Sequence, residues 1–245
     1  MLFRSLRNRL GEVLDLEPRF VYPLVKGCDL VRDHAASTER SVLVLQQRIG
    51  EDTAPLAGLA PRLWSYLTAH SGWFTKRASS IYRGAPAFAM FGIGPYSFAP
   101  FKVATGGLNK EPRFRALGPG KGKPVMLDDT CYFLPCSTAA EAAVLTALCN
   151  DPITLAFLRS ASFKSAKRPI TKALLQRIDL AAILKRTDRR ALRKRAREIH
   201  ELELGIGPGN AIPDEIDRLE KEFGRMTAAT RGDGSESIPF HVPDP

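Results

Sequence analysis

Residues 88–102, FAMFGIGPYSFAPFK, limit the folding choices of this chain more than any other segment. Gly92, Gly94, Pro95 and Pro100 punctuate it, and the two prolines keep a helix from starting normally. Strand and tight turn remain, with strands expected over 87–93 and 97–104. Exposed aromatic rings and a terminal cation, Lys102, on so tight a backbone suit contact with a polyanion that carries flat bases. Tyr96 is expected at the surface. Phe98 is expected in the core, because it alternates with Ser97.

The same segment imitates a cofactor loop and fails its requirements. Phe91-Gly92-Ile93-Gly94 starts like a dinucleotide fingerprint, which needs a third glycine and a helix whose N-terminus meets the phosphate. Ser97 stands at the third position, and an S-adenosylmethionine loop is also unmatched. Asn150-Asp151-Pro152-Ile153 approaches the Asp-Pro-Pro-aromatic motif of amino-methyltransferases. It lacks the aromatic that would stack on a flipped base. Asp151 followed by Pro152 is explained as a helix N-cap with proline at the first helical position.

Charge sets the class of partner. Lys and Arg number 36 against 26 Asp and Glu, a formal net charge of +10, with a pI near 9.7. That excess favours nucleic acid or an anionic surface. No apolar run reaches bilayer-spanning length. The N-terminal segment has no signal-peptide core, so the expectation is a cytoplasmic protein without a membrane partner. Cys28, Cys131, Cys136 and Cys149 lack paired metal-ligand spacing, and are read as buried reduced thiols. The odd spacing of Cys131 and Cys136 sends them to opposite faces of a strand. Asp128-Asp129 would suit Mg²⁺, but no third acidic residue follows at nuclease-like spacing. It is read instead as a strand entrance hydrogen-bonded to turn amides. No catalytic residue and no metal site is assigned.

The expected fold class is α+β, with a mixed or antiparallel sheet core, flanking helices and a C-terminal helical hairpin. An amphipathic helix is expected over 3–14, a strand over 41–47, and helices from Pro61 and over 73–82. Strands follow at 113–117, 124–127 and 130–134. Thr138-x-x-Glu141 reads as a capping box. A highly charged helix with Leu192, Ile199 and Leu202 at heptad-like spacing pairs, across a glycine-rich turn, with a helix carrying Ile216, Leu219 and Phe223. The division expected is a recognition domain over 1–185, the hairpin over 186–229 and a disordered tail over 230–245. The arginine run 186–200 is read as a solvated helix face, with nucleic-acid binding as the alternative.

Four segments, read in order, resemble one family: YPLVKGCDLVR (22–32), FGIGPYSFAPFKVA (91–104), DDTCYFLPC (128–136) and SFKSAKRPITKALLQRI (162–178). They resemble the C-terminal target-recognition region of bacterial adenine-specific (N6) DNA methyltransferases, of the kind found in fused restriction–modification enzymes. In that family a separate Rossmann-like domain binds S-adenosylmethionine and carries the catalytic motif. The resemblance therefore implies a recognition half that starts where the catalytic half would end. It implies duplex DNA as partner and no cofactor in this chain. S-adenosylmethionine is expected only on a methyltransferase catalytic subunit, docked through the hairpin around Leu192, Ile199 and Phe223.

By that analogy Lys26, Asp29, Arg32, Tyr96, Ser97, Lys102, Lys167 and Arg168 line the DNA face; structural salt bridging is the competing reading of Lys26, Asp29 and Arg32, and core filling that of Tyr96. Lys164, Lys167, Arg168 and Lys172, around a loop and helix start, read as a phosphate clamp or equally as a solvated basic surface. Lys121 and Lys123, at a glycine-flexible tip, each read first as a solvated turn, with contact to a groove or a backbone as the alternative. The rival readings are a divergent methyltransferase or nuclease in its own right, a non-catalytic interaction remnant of a restriction system, and a surface that holds RNA.

Overall fold

The computed structural model describes residues 6–32, 39–163 and 165–229, and its class is α+β. The elements run β1 (Leu6–Arg7), β2 (Val13–Leu14), β3 (Val21–Val25), β4 (Ser41–Leu43), α1 (Leu56–Leu59), α2 (Pro61–Ala69) and α3 (Ser71–Thr75). Then come β5 (Phe101–Gly106), β6 (Arg115–Leu117), β7 (Met126–Leu127), β8 (Cys131–Cys136), α4 (Ala139–Cys149) and α5 (Pro152–Ala161). The last four are α6 (Lys172–Leu175), α7 (Leu180–Arg186), α8 (Arg189–Leu202) and α9 (Ile212–Ala229). Two compact units divide them: Met1–Tyr22 with Ser41–Pro95, and Pro23–Arg40 with Tyr96–Asp244.

The first unit departs most from expectation. Residues 6–14 form a hairpin, not a helix, with Leu6 opposite Leu14 and Arg7 opposite Val13. The Asn8 side-chain oxygen accepts the Leu10 and Glu12 amides, at 2.9 and 3.0 Å. That side chain offers the backbone an alternative to the helical ladder. Strand β4 stops at Leu43, short of the expected 47. Beyond it Gln46 is buried and its side-chain carbonyl accepts the Met90 amide at 2.7 Å. Residues 87–93 are not a strand, because Phe88 (φ 59°) and Gly92 (φ 61°) take left-handed backbone. The expected 73–82 helix is one short turn, α3, followed by a 3₁₀ turn at Ser80–Tyr82. The core gathers Leu16, Leu45, Leu56, Leu63, Leu67 and Phe88. Trp64 and Phe74 pack edge-on to the Phe88 ring at 5.3 and 5.0 Å. Pro61 starts α2 as expected, and Glu17 caps it from a distance by accepting the Arg62 and Leu63 amides.

The second unit is built on the antiparallel sheet β6-β5-β8. Strand β5 pairs with β8 from Phe101 opposite Cys136 to Gly106 opposite Cys131, and with β6 through Lys102 opposite Leu117. Alternation sorts the sheet onto two cores. Val103, Tyr132, Leu134 and Cys136 face a cluster that contains α4, α8 and α9 residues. Ala104, Cys131 and Phe133 face a second cluster with Val25, Leu30, Leu117 and Val125. Cys131 and Cys136 thus lie on opposite faces, and both thiols are raised by burial, which leaves them protonated and unreactive. Cys28, in contrast, is exposed. Leu24 and Val25 of β3 pair in parallel with Met126 and Leu127 of β7.

Helix α4 is apolar on every side and almost wholly buried, the pattern of a helix in the middle of a core. Thr138 caps it as expected, accepting the Glu141 amide at 3.1 Å. Glu141 reaches back to the Ser137 amide at 2.7 Å, one residue earlier than a capping box requires. The hairpin α8–α9 is present. Leu192, Ala196, Ile212, Ile216, Leu219 and Phe223 are buried in the same core as α4. Ile199 packs against that core as well, so the apolar face expected to dock a partner is occupied within the unit. Leu202 is 79% exposed. Ten residues on from Leu192, at about 100° per residue, it lies roughly 80° off the core line. Residues 230–245, expected as a tail, lie outside the described residues. Among the described residues no single helix is long and apolar enough to cross a membrane.

Candidate nucleic-acid interface

Three of the four family-like segments meet within the second unit, and Asp128 ties the first two of them. Its Oδ1 accepts the Gly27 amide (3.3 Å), the Thr130 amide (3.2 Å) and the Thr130 hydroxyl (2.6 Å). The Asp128 amide donates to Val25 O at 3.3 Å. This is the strand entrance expected of Asp128-Asp129. The segment around Ile170 joins through Gly107, whose amide donates to Thr130 O (2.7 Å) and whose carbonyl accepts the Ile170 amide (3.4 Å). The Arg168 guanidinium donates to Asp129 O at 3.2 Å and lies 3.7 Å from the Asp129 carboxylate.

The junction is tight enough to require glycine. A Cβ on Gly27 would stand 2.6 Å from Thr130 Oγ1. On Gly107 it would stand 2.5 Å from Tyr132 Cε2 and 3.2 Å from Ile170 O. Gly107→Ala is expected to cost about 2 kcal/mol through overpacking. Faster hydrogen exchange at β5 and β8 amides measures it; unchanged protection would refute the tightness of the junction.

The individual candidates divide by exposure. Arg32, Lys121 and Lys167 are exposed, and Lys26, Lys123, Arg168 and Lys172 are half-buried. Lys164 lies outside the described residues. Asp29 is 2% exposed. It accepts the Lys26 amide at 3.0 Å, pairs with Arg40 at 2.7 Å and has Arg32 at 3.8 Å. Burial alone would raise its carboxyl, but the Lys26 amide and the Arg40 guanidinium outweigh it and hold the carboxyl below its usual value. Asp29 therefore closes a turn instead of facing outward. Ser97 is buried, and Tyr96 is half-buried with its ring 5.9 Å from Phe133. Phe98, expected in the core, is half-buried like Tyr96.

Lys102 is the largest departure. It is 1% exposed, because both faces of β5 are covered and alternation puts Lys102 on the side of Ala104 and the second cluster. Its Nζ donates to Ala99 O at 2.8 Å and lies 5.8 Å from the Phe133 ring centroid. Burial pulls its ammonium down to about 8. In this position its ammonium is bonded to a backbone carbonyl beneath the surface.

Two other features differ from the sequence picture. The tip holding Lys121 is not loose. Gly120 and Lys123 exchange two backbone hydrogen bonds, at 2.8 and 3.0 Å, and both residues between them have positive φ (Lys121 52°, Gly122 75°). That is the geometry of a type I′ turn, which presents Lys121 on a defined loop. Burial lowers the Lys123 ammonium. The helix start expected to supply amide donors to the phosphate clamp is short and already capped. Helix α6 is one turn long, and Thr171 Oγ1 already accepts its Leu174 amide at 3.2 Å.

The methyltransferase-like tetrapeptide is structural. The Asn150 side chain pairs with both backbone groups of Phe114, at 3.0 and 2.8 Å. Asp151 caps α5 through the Ile153 amide (3.0 Å) and pairs with Arg195 (3.0 Å). Nor does 91–94 fit S-adenosylmethionine or a dinucleotide: a four-residue 3₁₀ turn, Pro95–Phe98, and a strand follow it, where those groups need a helix N-terminus. Among the described residues no group of three or more His, Cys, Asp or Glu is placed to hold a metal ion.

A comparison with curated proteins bears on the class. Over 178 residues, 73% of this chain, the sequence is 39% identical to the Type II methyltransferase M.NspV of Nostoc sp. (strain ATCC 29411 / PCC 7524). The chain is related to a methyltransferase. The match spans 37% of that protein's own length, so this chain corresponds to part of it. No protein-family model matches the chain.

Sequence reasoning singled out the lysines and arginines of the junction and missed Gly106-Gly107, which seat it. The available signal was a glycine pair directly after an alternating strand pattern, a mark of close backbone approach.

Proposed function

We propose that this chain is the DNA target-recognition part of an adenine-N6 methyltransferase of a restriction–modification system, with methyl transfer carried out by a separate catalytic domain or subunit. The observation that carries this reading is the junction around Asp128 and Gly107, where segments 22–32, 128–136 and 162–178 meet. The relation to a Type II methyltransferase supports it, as does the formal charge of +10. Lys167 and Lys121 engage phosphates, which positions the protein without reading sequence. Arg168, held on the Asp129 carbonyl, offers a fork suited to a guanine edge in the major groove. Asp128 and Asp29 act behind this surface by fixing the backbone that presents it. S-adenosylmethionine belongs to the catalytic part, since neither 91–94 nor 150–153 has the form that binding or transfer needs.

Selection from a randomised duplex DNA pool at near-physiological salt tests the proposal. A defined enriched motif is expected, with no methyl transfer by the chain alone. Lys167→Ala should weaken binding to all duplexes about equally, whereas Arg168→Ala should relax one position of the motif. Retention without enrichment, lost as salt rises, would reduce the protein to a charged surface. Methyl transfer by the chain alone would overturn the division of labour.

A further inference from the structure

The arginines of α8 do not share one fate. Arg189 pairs with Asp217 at 2.8 Å and with Glu220, both on α9. Arg195 pairs with Asp151 at the start of α5. Lys194 has Glu198 one turn on, at 4.0 Å. Arg190, Arg193 and Arg197 have no carboxylate within ion-pair distance among the described residues. Their spacing of three and four residues puts them on one stripe of the helix, within about 60° of arc. Arg190 and Arg197 are exposed, and the buried Nε of Arg193 has no hydrogen-bond partner. Glu198 and Glu201 follow in the last turns and bound the stripe.

We propose that this stripe is a second nucleic-acid contact, one that grips the phosphate backbone without reading sequence. It rests on the duplex-binding reading above and adds to it a surface that shares no residue with the Asp128 junction. The chemistry favours phosphates over a lipid surface. A membrane-binding helix needs an apolar face free to insert, and the apolar face of α8, with Leu192 and Ala196, is buried in the core. All three cations are arginines, whose planar fork matches phosphate oxygens. Arg190 to Arg197 spans about 10 Å of helix axis, enough to meet more than one phosphate of a strand. The arginines turned toward α9 and α5 are matched by carboxylates, so the three left without one are not simply an excess that the fold failed to neutralise.

The test uses the full chain and compares wild type, Arg190→Ala/Arg197→Ala and the charge-conserving Arg190→Lys/Arg197→Lys. Each is titrated with a selected duplex and with a scrambled duplex of equal length over a series of salt concentrations. Both sites are exposed, and thermal melting confirms that the variants fold. Removing two phosphate contacts should make the slope of log affinity against log salt shallower by about 1.8. The change should be equal for both duplexes, and the lysine variant should keep most of the slope. An unchanged slope in the alanine variant, with wild type binding duplex, would overturn the α8 assignment and leave the recognition reading standing. Failure of wild type to bind any duplex would overturn both. Loss of binding to phosphatidylserine vesicles alone, with duplex binding intact, would overturn the assignment in favour of a membrane surface.

Discussion

Lys102→Met is expected to stabilise the second unit by about 2 kcal/mol at pH 7 and to leave duplex binding unchanged. The lysine sits 1% exposed with one carbonyl as its hydrogen-bond acceptor. Burial lowers its ammonium from 10.5 to about 8, a shift that corresponds to roughly 3 kcal/mol of penalty on the charged form. Methionine fills the space of the stem without a charge. Against this stands the loss of the hydrogen bond to Ala99 O, about 1 kcal/mol. The pH dependence has a definite sign. Below about 8 both folded and unfolded chains hold the proton and the penalty is fully present. Between about 8 and 10.5 the unfolded chain holds the proton that the folded chain has released, so wild-type stability rises with pH. The variant should be flat across that window. Both tryptophans, Trp64 and Trp73, belong to the other unit, so hydrogen exchange at β5 and β8 reports the effect where tryptophan fluorescence would not. Weaker duplex binding by a stabilised variant would return Lys102 to the DNA surface.

Asp29→Ala should act in the opposite direction, destabilising the second unit by about 3 kcal/mol. The carboxylate closes the turn between the Lys26 amide and the Arg40 guanidinium, both charge-assisted contacts. Without it the amide is left unpaired beneath the surface, and Arg40 loses its partner. Because the folded carboxyl is held below its unfolded value, its contribution is fully present above about 3.8 and is lost as pH falls through the lower folded value. The alanine variant should therefore lose the part of acid sensitivity that belongs to this turn. Asp29→Asn separates structure from readout. A less stable protein with an unchanged DNA motif fits the turn-closing role, whereas a stable protein with a changed motif would make Asp29 a base reader.

Where a signal is local, the chain discloses it. The caps at Thr138 and Asp151 follow from a short polar side chain next to free helix amides. The opposite faces of Cys131 and Cys136 follow from the two-residue period of a strand. The hairpin α8–α9 follows from two amphipathic patterns around a glycine-rich turn. Each depends on geometry repeated within a few residues. The N-terminal hairpin shows how such reasoning fails even locally: residues 6–14 have helical spacing, but one side chain, Asn8, captures two amides and turns the backbone.

The candidate interface was legible as a set of cationic segments in a basic chain, and its arrangement was not. Asp128 meets Gly27 across 101 positions of sequence, and no periodicity encodes that meeting. Lys102 carries the same charge as Lys167. One is buried because a sheet covered on both faces takes in β5 from Lys102 to Gly106, and the other stays outside on a loop. The arginines of α8 are alike in sequence and differ only in which neighbouring helix supplies a carboxylate. Composition and short-range pattern thus determined the α+β class, the helix starts at Pro61, Ala139 and Pro152, the hairpin and the positive charge. Tertiary structure decided which charges are buried, which are paired and which face outward. Those outcomes depend on desolvation and on partners brought within a few ångströms from distant parts of the chain.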